Sequence, residues 1–137
     1  MLELQNIKWH PEGGPQVLNG IDITIPDNKL VVITGPNGSG KTTTAKIIAG
    51  IEKPDDGRII LDGEDITDKD VTERAKLGIS FAFQQPVRFK GLSVRDILTL
   101  AFDHKPDEKE LGTVLQKVGL CAADYLDREL NSNLSGG

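Results

Sequence analysis

The chain has 137 residues, 37% hydrophobic and 27% charged, with 16 Lys and Arg against 21 Asp and Glu for a formal net charge of -5. That length suits one domain and is short for two, and the mixed charge with a sizeable apolar fraction excludes a wholly disordered polymer. The acidic balance argues against general nucleic-acid binding, whose affinity comes from Lys and Arg neutralising phosphates, and leaves room for a local basic pocket only. The single cysteine, Cys121, cannot form an intramolecular disulfide, and the two histidines, His10 and His104, stand at no metal-ligand spacing to it or to each other. Cys121, between Leu120 and Ala122, reads as a buried thiol packing like a small hydrophobe. Met1-Leu2-Glu3-Leu4-Gln5 lacks the basic start and apolar stretch of a signal peptide, and no apolar run approaches the roughly 18 residues that span a bilayer. A cytosolic chain is expected.

Leu2, Leu4 and Ile7 precede the break Pro11-Glu12-Gly13-Gly14-Pro15, after which Ile21, Ile23 and Ile25 alternate with Asp22 and Thr24. This pattern predicts two antiparallel strands with one wet face. The continuous apolar run Leu30-Val31-Val32-Ile33 predicts a strand buried on both sides, at the centre of a sheet. A helical stripe through Ala45, Ile47, Ile48, Ala49 and Ile51 ends near Gly50, Pro54-Asp55-Asp56-Gly57 is a turn, and Arg58 to Gly63 is a short strand ending in another. Asp70 with Glu73 marks a helix start, and Gly78 to Phe83 returns to strand character. Ser93 with Asp96 opens a helix through Ile97, Leu98, Leu100, Ala101 and Phe102, and Asp107 with Glu110 opens one through Leu111, Val114, Leu115 and Val118. Residues from about 92 onward read as all-helical, and the expected architecture is an α/β core with a helical lobe.

Gly35-Pro36-Asn37-Gly38-Ser39-Gly40-Lys41-Thr42 satisfies G-x-x-x-x-G-K-[ST] between a predicted strand and a predicted helix. In such a loop the glycines turn backbone N–H groups inward as a nest for an anion, and the following helix adds its positive end. Lys41 would reach the β- and γ-phosphates of a nucleotide, Thr42 would place its hydroxyl on Mg²⁺, and Thr43 would bond an α-phosphate oxygen. A guanine-reading N-K-x-D is missing: Asn28-Lys29 lies before the loop and has Val31 where the carboxylate belongs, and no D-x-x-G occurs. A small GTPase is therefore disfavoured. A nucleoside-phosphate kinase would require the later motifs to be accidental.

Those later motifs carry a family resemblance. Asn133-Leu134-Ser135-Gly136-Gly137 matches the start of the L-S-G-G-Q signature of ABC-type ATPases, Phe83-Gln84-Gln85-Pro86 resembles their Q-loop, and Phe89-Lys90-Gly91-Leu92-Ser93-Val94 follows it in the customary pattern. With the phosphate loop, these matches cover nearly the whole chain. The resemblance implies a P-loop NTPase core with an antiparallel β subdomain, residues 1–87, and a helical lobe, residues 88–137. It implies ATP and Mg²⁺ as ligands, with Gly35, Asn37, Gly38, Ser39, Gly40, Lys41, Thr42 and Thr43 around the phosphates. Thr42 and Gln84 would hold the metal, Gln85 replacing Gln84 if the register shifts by one. Ser135, Gly136 and Gly137 would bind the ATP of a second ABC domain in a head-to-tail dimer.

The run Ala82-Phe83-Gln84-Gln85-Pro86-Val87 looks most like the soluble ATPase of the SUF iron–sulphur assembly system, which implies a scaffold-protein partner. The alternative is the ATP-binding subunit of a membrane transporter, peripheral to the membrane, or a docking module presenting Phe89, Leu92, Ile97 and Leu98 from its helical lobe, core packing being the other and preferred reading of those four. The family stacks adenine on an aromatic after its first strand; here that position falls near Pro11, with Trp9 and His10 just before it, and Trp9 packed on a strand face is the other reading. The resemblance also implies about 200 to 250 residues for a complete domain, with the Walker B aspartate, the catalytic glutamate, the D-loop and the switch histidine beyond position 137. The expectation is an ATP hydrolase in its intact form. This segment alone is expected to bind nucleotide weakly, turn over little, make small catalytic use of Ser135 and Gly136, and expose one edge of residues 30–33 to another chain.

Overall fold

The computed structural model describes residues 1–84 and 89–130. The chain divides into two compact units, Met1–Ala82 and Phe83–Gly137.

In the first unit, β1 (Leu2–Trp9) pairs antiparallel with β2 (Leu18–Ile25) on one side and with β3 (Asp56–Leu61) on the other. The short β4 (Glu64–Asp65) completes a sheet of order β2-β1-β3-β4. Leu4 and Ile7 are three residues apart, so a regular strand would send them to opposite faces. Asn6, at φ 51°, is an extra residue in β1: Leu4 pairs with Ile23 while Ile7 pairs with Ile21. A second bulge answers it in β2, where Gly20 separates Asn19, opposite Lys8, from Ile21. Gly20 has φ 80°, and a Cβ there would stand 2.9 Å from Asn6 Oδ1, so the two bulges nest because one of them is glycine. The Asn6 amide donates to Asp22 Oδ1 at 2.8 Å.

These bulges bring Leu4, Ile7 and Leu18 into one buried cluster with Ile59, Ile66 and Ile47, the last from α1 (Lys41–Ala49). Truncating such a buried Ile to Ala typically costs about 2–5 kcal/mol, so this cluster anchors α1 to the sheet. Next in the chain, α2 (Val71–Lys76) begins with the expected capping box: Asp70 accepts from the Glu73 amide at 2.8 Å, and Glu73 accepts from the Asp70 amide at 2.9 Å.

Two predicted strands are not formed. Residues 30–33 carry no strand and are exposed, Leu30 at 93% and Val32 at 71%. A strand exists through its ladder, and among the described residues no strand pairs with this run. Residues 79–83 are likewise irregular, with Ile79 packing against the core cluster.

The second unit contains α3 (Val94–Leu100), α4 (Glu108–Lys117) and α5 (Ala122–Tyr125). The Ser93/Asp96 and Asp107/Glu110 capping boxes predicted from sequence start the first two. Leu111, Leu115 and Leu126 form the core, flanked by Val94, Leu98, Phe102, Leu120, Ala122 and Tyr125. Residues 126–130 run back along the start of α3, with the Val94 amide donating to the Arg128 carbonyl at 2.9 Å and Arg95 bridging Asp127 and Glu108. Cys121 is exposed, contrary to expectation. It is the N-cap of α5, a helix whose Ala122, Tyr125 and Leu126 take the inner side, so the cysteine is left outside. Val118, predicted on the apolar stripe, caps the end of α4 and is exposed as well.

Candidate functional site

The phosphate-loop sequence turns through Gly38 and Gly40, at φ 82° and 86°, with the Ser39 amide donating to the Pro36 carbonyl at 3.3 Å. Gly40 is buried and is the N-cap of α1. A Cβ at that position would overlap Leu18 Cδ2 and stand 3.2 Å from Val17 Cγ1, so the backbone lies directly on the start of β2.

The first bond of α1 runs from the Thr44 amide to the Gly40 carbonyl at 2.8 Å, and the buried Thr44 hydroxyl donates to the same oxygen at 2.9 Å. The amides of Lys41, Thr42 and Thr43 precede that bond, and helix geometry offers them no carbonyl within the helix. Among the described residues no side chain caps this end, and no acidic residue lies in the first turn to offset the positive end of the helix. Lys41 folds back over the loop. Its Nζ donates to the Gly35 and Pro36 carbonyls at 2.7 Å each and stands 3.5 Å from Ser39 Oγ. Gly35, Asn37, Gly38, Ser39 and Thr42 are exposed, and Thr43 is half-buried.

Among the described residues, no group of three or more His, Cys, Asp or Glu could hold a metal ion. Mg²⁺ commonly takes only one or two protein oxygens and completes its shell with phosphates and water, so an exposed Thr42 hydroxyl at a phosphate-binding helix start fits its chemistry.

The other predicted site residues are distributed as follows. Gln84 is exposed and belongs to the second unit. Gln85, Ser135, Gly136 and Gly137 lie outside the described residues. Trp9 ends β1, pairs with Leu18 and packs half-buried against the core cluster, as in the strand-face reading. His10 is exposed, its amide donating to Asp55 Oδ2 at 2.8 Å and its Nδ1 lying 2.7 Å from the same oxygen. Of the helical-lobe residues named above, Phe89 is exposed, while Leu92 and Ile97 are half-buried and Leu98 packs on the lobe's core.

Sequence reasoning passed over Arg74. Its guanidinium is 2% exposed and reaches the far end of α1, and burial lowers its pKa from the ordinary value. A single Arg in an Ala- and Lys-containing helix looks like a solvated cation, and no short motif marks it.

The model of the ABC transporter family matches residues 18–137. The chain is 42% identical over 133 residues to the uncharacterized ABC transporter ATP-binding protein MJ0035 of Methanocaldococcus jannaschii, the match covering 91% of this chain and 53% of that protein. It is 38% identical over 122 residues to the sulfate/thiosulfate import ATP-binding protein CysA of Synechocystis, covering 88% and 34%. The solved dimeric structure of MJ0796, a bacterial ABC transporter cassette, superposes with a TM-score of 0.76 at 26% identity, over 99% of this chain and 64% of that one. The chain thus spans about half the length of MJ0035 and about a third of CysA. Among the described residues no helix is long and apolar enough to cross a membrane.

Proposed function

This chain belongs to the ABC transporter family, and from that premise we propose that residues 35–43 bind the phosphates of ATP in the ATP-hydrolysing subunit of a membrane transporter. The observation that carries the reading is the start of α1: backbone amides with no cap beside an ammonium group held on the same loop. Gly38 and Gly40 shape the nest with Gly35, Asn37 and Ser39, and the amides of Lys41, Thr42 and Thr43 complete it. Lys41 exchanges the Gly35 and Pro36 carbonyls for β- and γ-phosphate oxygens, a stronger charge-assisted pairing. Thr42 and Gln84 are the residues that would hold Mg²⁺, which would supply charge neutralisation at the phosphates. Ser135 and Gly136 act on the nucleotide of a second ABC domain, with residues 1–87 as core and 88–137 as helical lobe. The subunit works in the cytoplasm, peripheral to the membrane.

The names of the relatives favour transport over iron–sulphur assembly. The SUF-like reading preferred from the sequence rests on the run Ala82 to Val87 alone, and nothing in the relatives' names supports a scaffold partner.

Calorimetric titration with Mg-ADP tests the reading. The parent chain binds, and Lys41→Ala weakens binding by at least about tenfold, the size expected for losing hydrogen bonds to a charged group. A folded parent that takes up no nucleotide would refute it.

A further inference from the structure

We propose that Arg74 is a positioning residue for nucleotide binding: it locks the C-terminal end of α1 and thereby fixes the helix start that meets the phosphates. This inference rests on the phosphate-loop reading above. At nine residues α1 is only about 13.5 Å long, a length at which an isolated helix is marginal in water. Three other helices, α2, α3 and α4, each carry a complete capping box at their start. α1, like the four-residue α5, has no side-chain cap, and its first amides are thereby left for a ligand. Its hold must come from elsewhere.

Packing supplies part of that hold, through Ile47 in the core cluster and Gly40 against Leu18, and the polar ties lie at the other end. The Gly50 amide donates to the Ile47 carbonyl at 3.1 Å, and the Ile51 amide to the Lys46 carbonyl at 2.9 Å. Arg74 adds Nη1 to the Ile47 and Ile48 carbonyls at 2.6 and 3.0 Å, Nη2 to the Thr67 carbonyl at 2.9 Å, and Nε to the Lys69 carbonyl at 2.9 Å. One planar group therefore ties the last turn of α1 to the 67–69 segment ahead of α2. Among the described residues no carboxylate forms an ion pair with it, and its charge faces carbonyl dipoles, two of them at the negative end of α1. The fit is close: a Cβ on Gly50 would lie 3.2 Å from Arg74 Cδ and Nε. Lysine cannot reproduce this arrangement, since its three donors leave a single atom, whereas the guanidinium directs its donors along a fixed fork.

A short helix moves nearly as a rigid rod, so freeing one end displaces the other, and phosphate binding depends on where the first amides stand. The test compares the parent 137-residue chain with Arg74→Lys and Arg74→Met, using Mg-ADP as the probe at a temperature where the circular dichroism spectra of variant and parent superimpose. Arg74→Lys is expected to weaken ADP binding about fivefold and Arg74→Met at least as much. A residue that only stabilises the fold would lower the melting temperature and leave the affinity of the folded molecule unchanged; that outcome overturns the proposal. If neither variant folds, hydrogen exchange on the parent decides. By linkage, ADP at the start of α1 must slow exchange of the Gly50 and Ile51 amides at its far end, and unaltered exchange there overturns the proposal. A parent that ignores ADP removes the phosphate-loop reading and this inference with it, whereas a parent that binds alongside variants of equal affinity removes only this inference.

Discussion

Leu18 Cδ2 occupies the space that a side chain on Gly40 would need, so the last glycine of the loop and the first residue of β2 form one packed joint. Gly40→Ala meets two penalties there, an overlap with a buried leucine and a left-handed backbone at φ 86°. The expected loss is about 1–3 kcal/mol by urea unfolding. Nucleotide affinity falls as well, because relief of the overlap moves the loop. Gly63→Ala is the comparison: it has φ 85° with nothing near its Cβ position, so it bears the backbone penalty alone and leaves affinity unchanged.

Acid sensitivity follows from four carboxylates. The Ser93 hydroxyl and amide hold Asp96 below the usual carboxylate range, and Arg95 does the same for Asp127. In the first unit the Gly57 amide and then Lys8 depress Asp56, and the Thr67 hydroxyl and amide depress Asp65. A carboxyl whose folded pKa lies below its unfolded value stabilises the fold above the unfolded value, near pH 4, and that contribution is lost as pH falls through the folded one. The melting temperature is therefore expected to be level from neutral pH down to about pH 5 and to drop below about pH 4. Ser93→Ala raises the Asp96 pKa towards the ordinary range, which carboxyl NMR titration reads directly.

The exposed run at residues 30–33 predicts association. In this chain Leu30→Lys with Val32→Lys removes two exposed apolar side chains from a segment that makes no ladder among the described residues. Stability to urea is expected to stay within about 0.5 kcal/mol. Sedimentation velocity of the parent at rising concentration is expected to show association that the double variant lacks, and equal behaviour of the two would exclude this segment as its cause.

What could be read from the residues alone was whatever is decided locally. Asp70 with Glu73, Ser93 with Asp96 and Asp107 with Glu110 each complete a ring of hydrogen bonds within four residues, so sequence and structure agree there. The turn through Gly38 and Gly40 into α1 is legible for the same reason. Leu30 to Ile33 misled because apolar content sets a preference for strand, while pairing depends on partners that the run itself does not contain. Arg74 was invisible because its meaning lies in four carbonyls, from residues 47, 48, 67 and 69, that converge only after folding. Cys121 was misread because its apolar neighbours, Leu120 and Ala122, turn inward while the N-cap position turns out.

The paired bulges at Asn6 and Gly20 have a geometric corollary. Each is one residue beyond what the ladder requires, so deleting both leaves every side chain of β1 and β2 on the face it now occupies. What such a double deletion alters is the bend of the hairpin, and with it the angle at which Leu18 is presented to Gly40. Gly20 stands two residues from Leu18, so this pair of extra residues sets the seat of the loop while the hydrophobic interior keeps its side chains.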